Sequence, residues 1–135
     1  MLENTKTSKG LQIIPRASLK CGKGQPEFLN TSEKALIKNF ADHPVLNNFF
    51  EENSGLLSVQ WVKIGEQDKV EIHDHEVDTL MISCVGECLL IGEMRKVLQE
   101  GDIVFIPKYY KHGLLPHNSK LFWGLSLRFY ATVHH

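Results

Sequence analysis

The spacing of apolar residues along the chain changes near residue 55. Beyond it, apolar and polar residues alternate in short runs that are rich in β-branched and aromatic side chains and are separated by glycine-containing or asparagine-containing turns. The pattern predicts strands at Leu56–Ile64, Val77–Val85, Cys88–Ile91, Lys96–Leu98, Ile103–Ile106 and Leu121–Tyr130. Short strands at regular spacing predict an all-β protein, either a sandwich or a barrel.

The preceding segment, residues 1–55, predicts an arm with short helices. Leu11–Pro15 can form a strand, and residues 32–52 have a helical periodicity that Asp42-His43-Pro44 interrupts. Proline is tolerated in the first turn of a helix but not inside one, so a second helix is predicted to begin here. We expect the arm to pack on a barrel formed by residues 56–135 rather than to form a second domain.

Each predicted helix has its own start signal and apolar face. The first begins at Thr31 or Ser32, and its apolar residues are Leu36, Ile37 and Phe40. The apolar face of the second consists of Val45, Leu46, Phe49 and Phe50.

The composition is that of one globular domain with balanced charge. The chain has 135 residues and a mass of 15.4 kDa. Its 15 Lys and Arg against 16 Asp and Glu give a formal net charge of -1, which argues against nucleic acid or an anionic membrane as partner. Three cysteines are too few for a disulfide framework, and neither a bilayer-length apolar run nor a signal-peptide core is present, so we expect a cytoplasmic protein. The unusual feature is the number of histidines, which is seven.

Three of the histidines are spaced for a metal centre. His73 and His75 lie two positions apart, and in a strand such side chains point to the same face. A third, His112, follows an apolar strand that ends in proline, so a neighbouring strand can bring its ring to the same point. Neutral imidazole is the commonest protein ligand for first-row divalent metals. We assign no function to His134 and His135, which end the chain.

The residues around these histidines resemble the two motifs of the cupin family, small jelly-roll β-barrels with a metal at the centre. The first motif has the form G-x5-H-x-H-x3,4-E-x6-G. Here His73, His75 and Gly86 keep their mutual spacing, and Gly65 lies two positions further from His73.

The second cupin motif has the form G-x5-P-x-G-x2-H-x3-N. Gly101, Pro107 and His112 match it in register, whereas Tyr109 and Pro116 stand where the motif has glycine and asparagine. The resemblance implies a cupin-type jelly-roll β-barrel over about residues 56–130, with a short helical N-terminal extension.

The main departure from the family is the missing acidic ligand. Thr79 stands where the motif has glutamate, and by strand parity it shares the inward face with His73 and His75. Glu76 and Asp78 point the other way unless a β-bulge turns one of them inward. A threonine hydroxyl is a poor metal ligand, so the chain resembles the three-histidine variant of the family, in which His112 completes the set.

The three-histidine variant implies a particular chemistry. In the family such centres often hold iron(II) and activate dioxygen, and zinc, nickel, manganese and copper also occur. Three neutral ligands leave the full positive charge on the metal, which suits a small organic anion that chelates it. We therefore expect an iron(II) dioxygenase or oxygenase. The alternatives are a metal-dependent isomerase, cyclase or lyase, a non-catalytic small-molecule-binding module, and a barrel whose histidines bind no metal.

Strand parity leaves open which face of the last predicted strand lines the pocket. If Ser126 and Arg128 face inward, Arg128 is the partner for a substrate carboxylate and Tyr130 can act as acid or base. If the other set faces inward, Trp123 forms an apolar wall. The further pocket candidates are Gln60, Trp61, Thr79 and Tyr109.

Cupin barrels commonly pair into dimers through their N-terminal strand and sheet edges. The resemblance therefore implies a homodimer. The candidates for its contact are the predicted strand Leu11–Pro15 and the apolar face of the second helix.

Overall fold

The computed structural model describes residues 10–19 and 38–132. In these ranges it contains one α-helix, α1 (Pro44–Glu52), and two 3-10 turns, Arg16–Ser18 and Phe40–Asp42. The strands are β1 (Gln12–Ile14), β2 (Asn53–Ile64), β3 (Val70–His73), β4 (Thr79–Val85), β5 (Cys88–Gly92), β6 (Lys96–Leu98), β7 (Ile103–Ile106), β8 (His112–Pro116) and β9 (Phe122–Ala131). The predicted helix that begins at Thr31 or Ser32 lies almost entirely outside the described residues, as do Cys21, His134 and His135.

The strands form two antiparallel sheets. One has the order β1-β7-β4-β9-β2, and the other has the order β3-β8-β5-β6. This confirms the all-β prediction, and all six predicted strands are present; the largest difference is at β2, which begins at Asn53 instead of Leu56. Two further strands, β3 and β8, are not among the six. β3 is too short for a clear alternation, and β8 contains Gly113 and Pro116, which are depleted in strands.

The main hydrophobic core lies between the two sheets. Its residues come from both sheets, and its buried members include Ile64, Met81, Leu90, Leu98, Val104, Leu114 and Phe122. Cys88 is also buried there, on β5, and Cys84 lies on β4, so the two cysteines are free thiols on strands that flank a turn. Burial raises the pKa of the Cys88 thiol to about 12, so this cysteine is a packing residue and not a nucleophile.

A second core lies on the outer side of the five-stranded sheet, where α1 covers it. Pro44 begins the helix as predicted, and the ring Nδ1 of His43 accepts a hydrogen bond from the backbone N–H of Val45 at 3.2 Å. Leu46 and Phe49 are fully buried, and the Phe49 ring packs edge-on against a phenylalanine of β7 and one of β9.

The two segments expected at a dimer contact also make contacts inside the chain. The buried face of α1 packs on its own sheet, and β1 pairs with β7. Of the described residues of the arm, β1 contributes an edge strand to the five-stranded sheet and α1 covers one of its faces. In the described part of the chain, no helix is long and apolar enough to cross a membrane.

Candidate metal centre

Two of the three histidines are neighbours across a strand pair. His73 is the last residue of β3, His112 is the first residue of β8, and the two are paired in register. His75 does not lie on the strand, contrary to the prediction from spacing. It lies two residues beyond the end of β3, in the connection to β4. The N–H of Tyr109 donates to the carbonyl oxygen of His75 at 2.8 Å, which fixes this connection to the loop before β8.

The three rings converge on one point. The Nε2 atoms of His73 and His75 are 2.9 Å apart, and one ring nitrogen from each histidine lies within 4.8 Å of the others. The ring centroids are 4.5 to 4.8 Å apart, and the rings are steeply inclined to one another. Such a cluster can hold a divalent metal ion, whose bonds to imidazole nitrogen are about 2.0–2.1 Å long for zinc.

Each histidine has a partner for its second nitrogen. The Nδ1 of His73 lies 2.7 Å from the carbonyl oxygen of Glu71, and the Nδ1 of His112 lies 3.0 Å from that of Tyr110. A carbonyl only accepts, so each Nδ1 carries the proton and each Nε2 keeps its lone pair for a metal. The cluster therefore fits a metal ion by its donor set, because such outward partners orient metal-binding imidazoles.

Burial and nearby positive charge lower the pKa of two of the rings, those of His75 and His112. Burial, followed by the positive charge of Arg128, lowers the pKa of His75 from its usual 6.5 to about 4. Burial also lowers the pKa of His112, against the raising effect of the hydrogen bond with Tyr110. Both rings are therefore unprotonated near pH 7, as a metal ligand must be.

Thr79 is a hydrogen-bond partner of His75 and not a substitute for the carboxylate ligand of the motif. Its side chain is buried at the start of β4, and its Oγ1 lies 3.2 Å from the Nδ1 of His75. A hydroxyl can accept a hydrogen bond from the Nδ1–H, which leaves the Nε2 of His75 free to bind a metal. The alternative of an inward-turned carboxylate is not observed. Asp78 accepts hydrogen bonds from the N–H of Lys108 at 2.9 Å and from Asn53 at 3.1 Å, and Glu76 is exposed.

The histidines open into a cavity of about 140 Å³ between the two sheets. Its lining is apolar apart from the histidines and a few polar side chains on one wall. The apolar members are Val62, Val70, Met81, Leu90, Ile106 and Leu114, and the other polar members are Gln60, Thr79, Ser126 and Arg128. Of the residues that the structure describes, no aspartate or glutamate lines this cavity.

The structure shows which face of β9 lines the cavity, a point that the sequence leaves open. Ser126 and Arg128 face the cavity, so the set with Arg128 is the inward one. Trp123 faces away and packs edge-on against Trp61, with their ring centroids 6.1 Å apart, and Trp61 is 65% exposed. Tyr130 belongs to the part of β9 that extends beyond the cavity and is 55% exposed.

Four predicted site residues therefore lie outside the cavity lining: Trp61, Trp123, Tyr109 and Tyr130. Tyr130 is not in position to act as acid or base there, because its side chain points into solvent. Tyr109 has a φ of 70° at the position where the cupin motif has glycine, which explains the family preference for glycine. The two carbonyls of Glu71 and Tyr110 could not be found from the sequence, because a backbone acceptor leaves no signature in side-chain identity.

No protein-family model and no curated protein matches the sequence. Several solved structures share the fold. A cupin protein from Bacteroides fragilis has a TM-score of 0.54 and 16% identity over 61% of this chain and 71% of that one. A DMSP lyase from Ruegeria pomeroyi has a TM-score of 0.52 and 22% identity over 56% of this chain and 39% of the lyase. A polyketide cyclase from Streptomyces resistomycificus has a TM-score of 0.51 and 14% identity over 59% of each chain.

The chain spans less than two thirds of the lyase and of the cyclase. At these identities the likeness establishes the cupin fold, and it carries no activity across. The fold and the histidine cluster are thus the two features on which a function can be argued.

Proposed function

We propose that this cupin-fold chain is a metal-dependent enzyme, a non-heme iron(II) dioxygenase or oxygenase that acts on a small chelating organic anion. The observation that carries the proposal is the convergence of three imidazoles whose outward nitrogens all have hydrogen-bond partners. A histidine cluster kept only for packing does not need each ring aimed by a separate partner.

The residues of the chain divide into three roles in this proposal. His73, His75 and His112 hold the ion, Thr79 positions His75, and Arg128 faces the substrate. The bound metal supplies Lewis acidity and, when it is iron(II), a site for dioxygen. Neutral ligands leave the charge of the ion uncompensated, which favours an anionic substrate that binds the metal directly.

The cavity also supports oxygen chemistry over acid–base chemistry. Of the lining side chains that the structure describes, none is a carboxylate or a tyrosine, and the three histidines are committed to the ion. An isomerase or lyase needs a residue that moves a proton at the substrate, and the described lining offers no dedicated one. The DMSP lyase and the polyketide cyclase have the same fold, so non-redox chemistry on zinc, nickel or manganese is the second candidate.

Metal analysis and oxygen uptake test the proposal. The chain is purified without an affinity tag, stripped with a chelator and reconstituted with iron(II) under nitrogen. We expect about one metal ion per chain and oxygen consumption on addition of a chelating anion. Activity with zinc or nickel under nitrogen would instead establish the second candidate. Full ligand affinity with no turnover by any metal would identify a binding module, and failure to retain any divalent metal would contradict the proposal.

We also propose a homodimer formed through β2. This strand is the last of its sheet, so among the described residues its outer edge has no neighbouring strand. Its exposed apolar side chains are Leu56, Leu57, Val59 and Trp61, and residues 56–62 include no charge that would repel a second copy. An edge strand that pairs antiparallel with its own copy is closed by a two-fold axis, which favours a second copy over an unrelated partner.

Light scattering tests this pairing. We expect twice the chain mass for the wild type and a monomer for Trp61→Glu. The matched control is Ile72→Glu, which places the same charge at an exposed apolar residue of β3, in the other sheet, and should leave the dimer intact. A wild-type mass of 15.4 kDa would contradict the proposal.

A further inference from the structure

We propose that the cavity takes a short aliphatic carboxylic acid, whose carboxylate is held by Arg128 and whose second oxygen binds the metal. This inference rests on the proposed metal site, and it names the class of ligand. It follows from the place of Arg128 in the sheet, from its lack of a partner, from the charge of the cavity and from the cavity's size.

Arg128 lies next to the histidine centre. It is the register partner of Thr79 on β4, and Thr79 contacts the ring of His75. Side chains that face each other across antiparallel strands have Cβ atoms about 4.5–5.5 Å apart. One residue therefore separates the guanidinium group from a candidate metal ligand. A compact molecule can reach both.

The guanidinium group has no acceptor within the described chain. The Nε of Arg128 is buried without a hydrogen-bond partner, and no described carboxylate forms an ion pair with this arginine. Its register partner on β2, Ser58, has a buried hydroxyl that is also without a partner. Buried donors are nearly always satisfied, so the unpartnered Nε of Arg128, a residue that lines the cavity, indicates an external acceptor. A carboxylate matches the planar fork of arginine, because it can accept two parallel N–H bonds.

The charge of the cavity requires an anion. Arginine is always protonated in proteins, so it adds one positive charge to the two of a divalent metal ion. No described acidic residue lines the cavity to offset this charge. A ligand with a carboxylate and an enolate or alkoxide oxygen would offset most of this charge, whereas a neutral chelator of the same shape would leave Arg128 unpaired.

The cavity limits the ligand to a few carbon atoms. Its volume of about 140 Å³ is close to that of an engineered apolar protein cavity of about 150 Å³ that binds benzene. Six apolar side chains make up the rest of the lining, so the part of the ligand between its two polar ends is aliphatic. A short oxo or hydroxy acid satisfies both limits. A sugar or a nucleotide satisfies neither.

Acetoacetate and acetoacetamide form a matched pair of probes, because they have the same number of heavy atoms and differ in the carboxylate. Zinc is used as a redox-inactive metal. In calorimetric titrations of the zinc-loaded full chain, we expect acetoacetate to bind at least about tenfold more tightly than acetoacetamide, as is typical of a charge-assisted hydrogen bond. In Arg128→Gln this preference should disappear while zinc still binds. Arg95→Gln removes an equal charge from an exposed turn and should keep the preference.

A second readout does not depend on the metal or on a variant that folds. In a ¹⁵N-labelled wild-type chain, the side-chain Nε–H signal of Arg128 should shift on addition of acetoacetate and not of acetoacetamide, both with and without zinc. Equal affinity for the two probes in the zinc-loaded chain, or an unmoved signal, would overturn the carboxylate site and leave the metal site standing. A shifted signal in a chain that does not bind zinc would overturn the proposed function and support the carboxylate site.

Discussion

Replacing Thr79 by valine tests whether its hydroxyl positions a metal ligand. Valine keeps the shape of threonine and removes only the oxygen that lies 3.2 Å from the Nδ1 of His75. Thr79 is 1% exposed, so the hydroxyl is lost from a buried position. The Nδ1–H of His75 is then left without a partner when Nε2 binds the metal.

The expected magnitude follows from the cost of an unsatisfied buried donor, which is about 1–3 kcal/mol. At about 1.4 kcal/mol for each factor of ten, the metal affinity should fall roughly tenfold to a hundredfold. This matches the loss of about 10- to 100-fold that is usual when the outward partner of a metal-bound histidine is removed.

Competition for zinc with a chromophoric chelator measures this effect, and a thermal melt in the presence of chelator checks that each variant folds. Thr79→Ser retains a hydroxyl and should retain most of the affinity. Ser83→Ala is the matched control, because Ser83 lies on the same strand, is equally buried, and has a hydroxyl with no hydrogen-bond partner. A Thr79→Val variant that binds zinc within about threefold of wild type, a difference of less than about 1 kcal/mol, would contradict this role of the hydroxyl.

Two further predictions concern the fold. Gly86→Ala should lower the free energy of unfolding by more than the roughly 1–2 kcal/mol of a left-handed residue, because Gly86 has a φ of 75° and an added Cβ would overlap the carbonyl oxygen of Leu121. Gly10→Ala, whose Cβ would make an ordinary contact with Tyr110, should change it little, and equal denaturation midpoints for the two variants would contradict this. Phe49→Ala should cost about 3–5 kcal/mol because its ring is fully buried between α1 and the sheet. A loss below about 1 kcal/mol in urea denaturation would show that α1 is not anchored there.

Much of the fold was predictable because strand periodicity is a local property. The six predicted strands are present with small differences at their ends, and Pro44 begins α1 where the sequence indicates. β3 and β8 were harder to recognise because they are short or contain glycine and proline, although the histidine spacing placed a ligand on each of them. The first predicted helix lies almost entirely outside the described residues and stays a prediction.

The candidate site was predictable as far as residue identity carries information. Motif spacing brought out His73, His75 and His112, and the structure places their rings together. The prediction that His75 reaches the centre from a strand was wrong, because this residue lies in the loop after β3. Tyr130 lies outside the cavity lining, because period-two alternation gives the side of a strand and not how far the cavity extends along it.

The amino-acid sequence alone was enough to predict alternating strands, a set of three candidate histidine ligands and the lack of a glutamate at position 79. The packing of the two sheets was needed to show which face of β9 looks inward. Both faces of that strand carry apolar residues, because one packs in the core and the other is partly covered by α1, so alternation alone could not tell them apart. The structure also showed the surroundings of Thr79 and Arg128. The hydroxyl of Thr79 is hydrogen-bonded to the ring of His75, and the Nε of Arg128 is buried without a hydrogen-bond partner. Such relations depend on which strands become neighbours, and that is settled only when the sheets assemble.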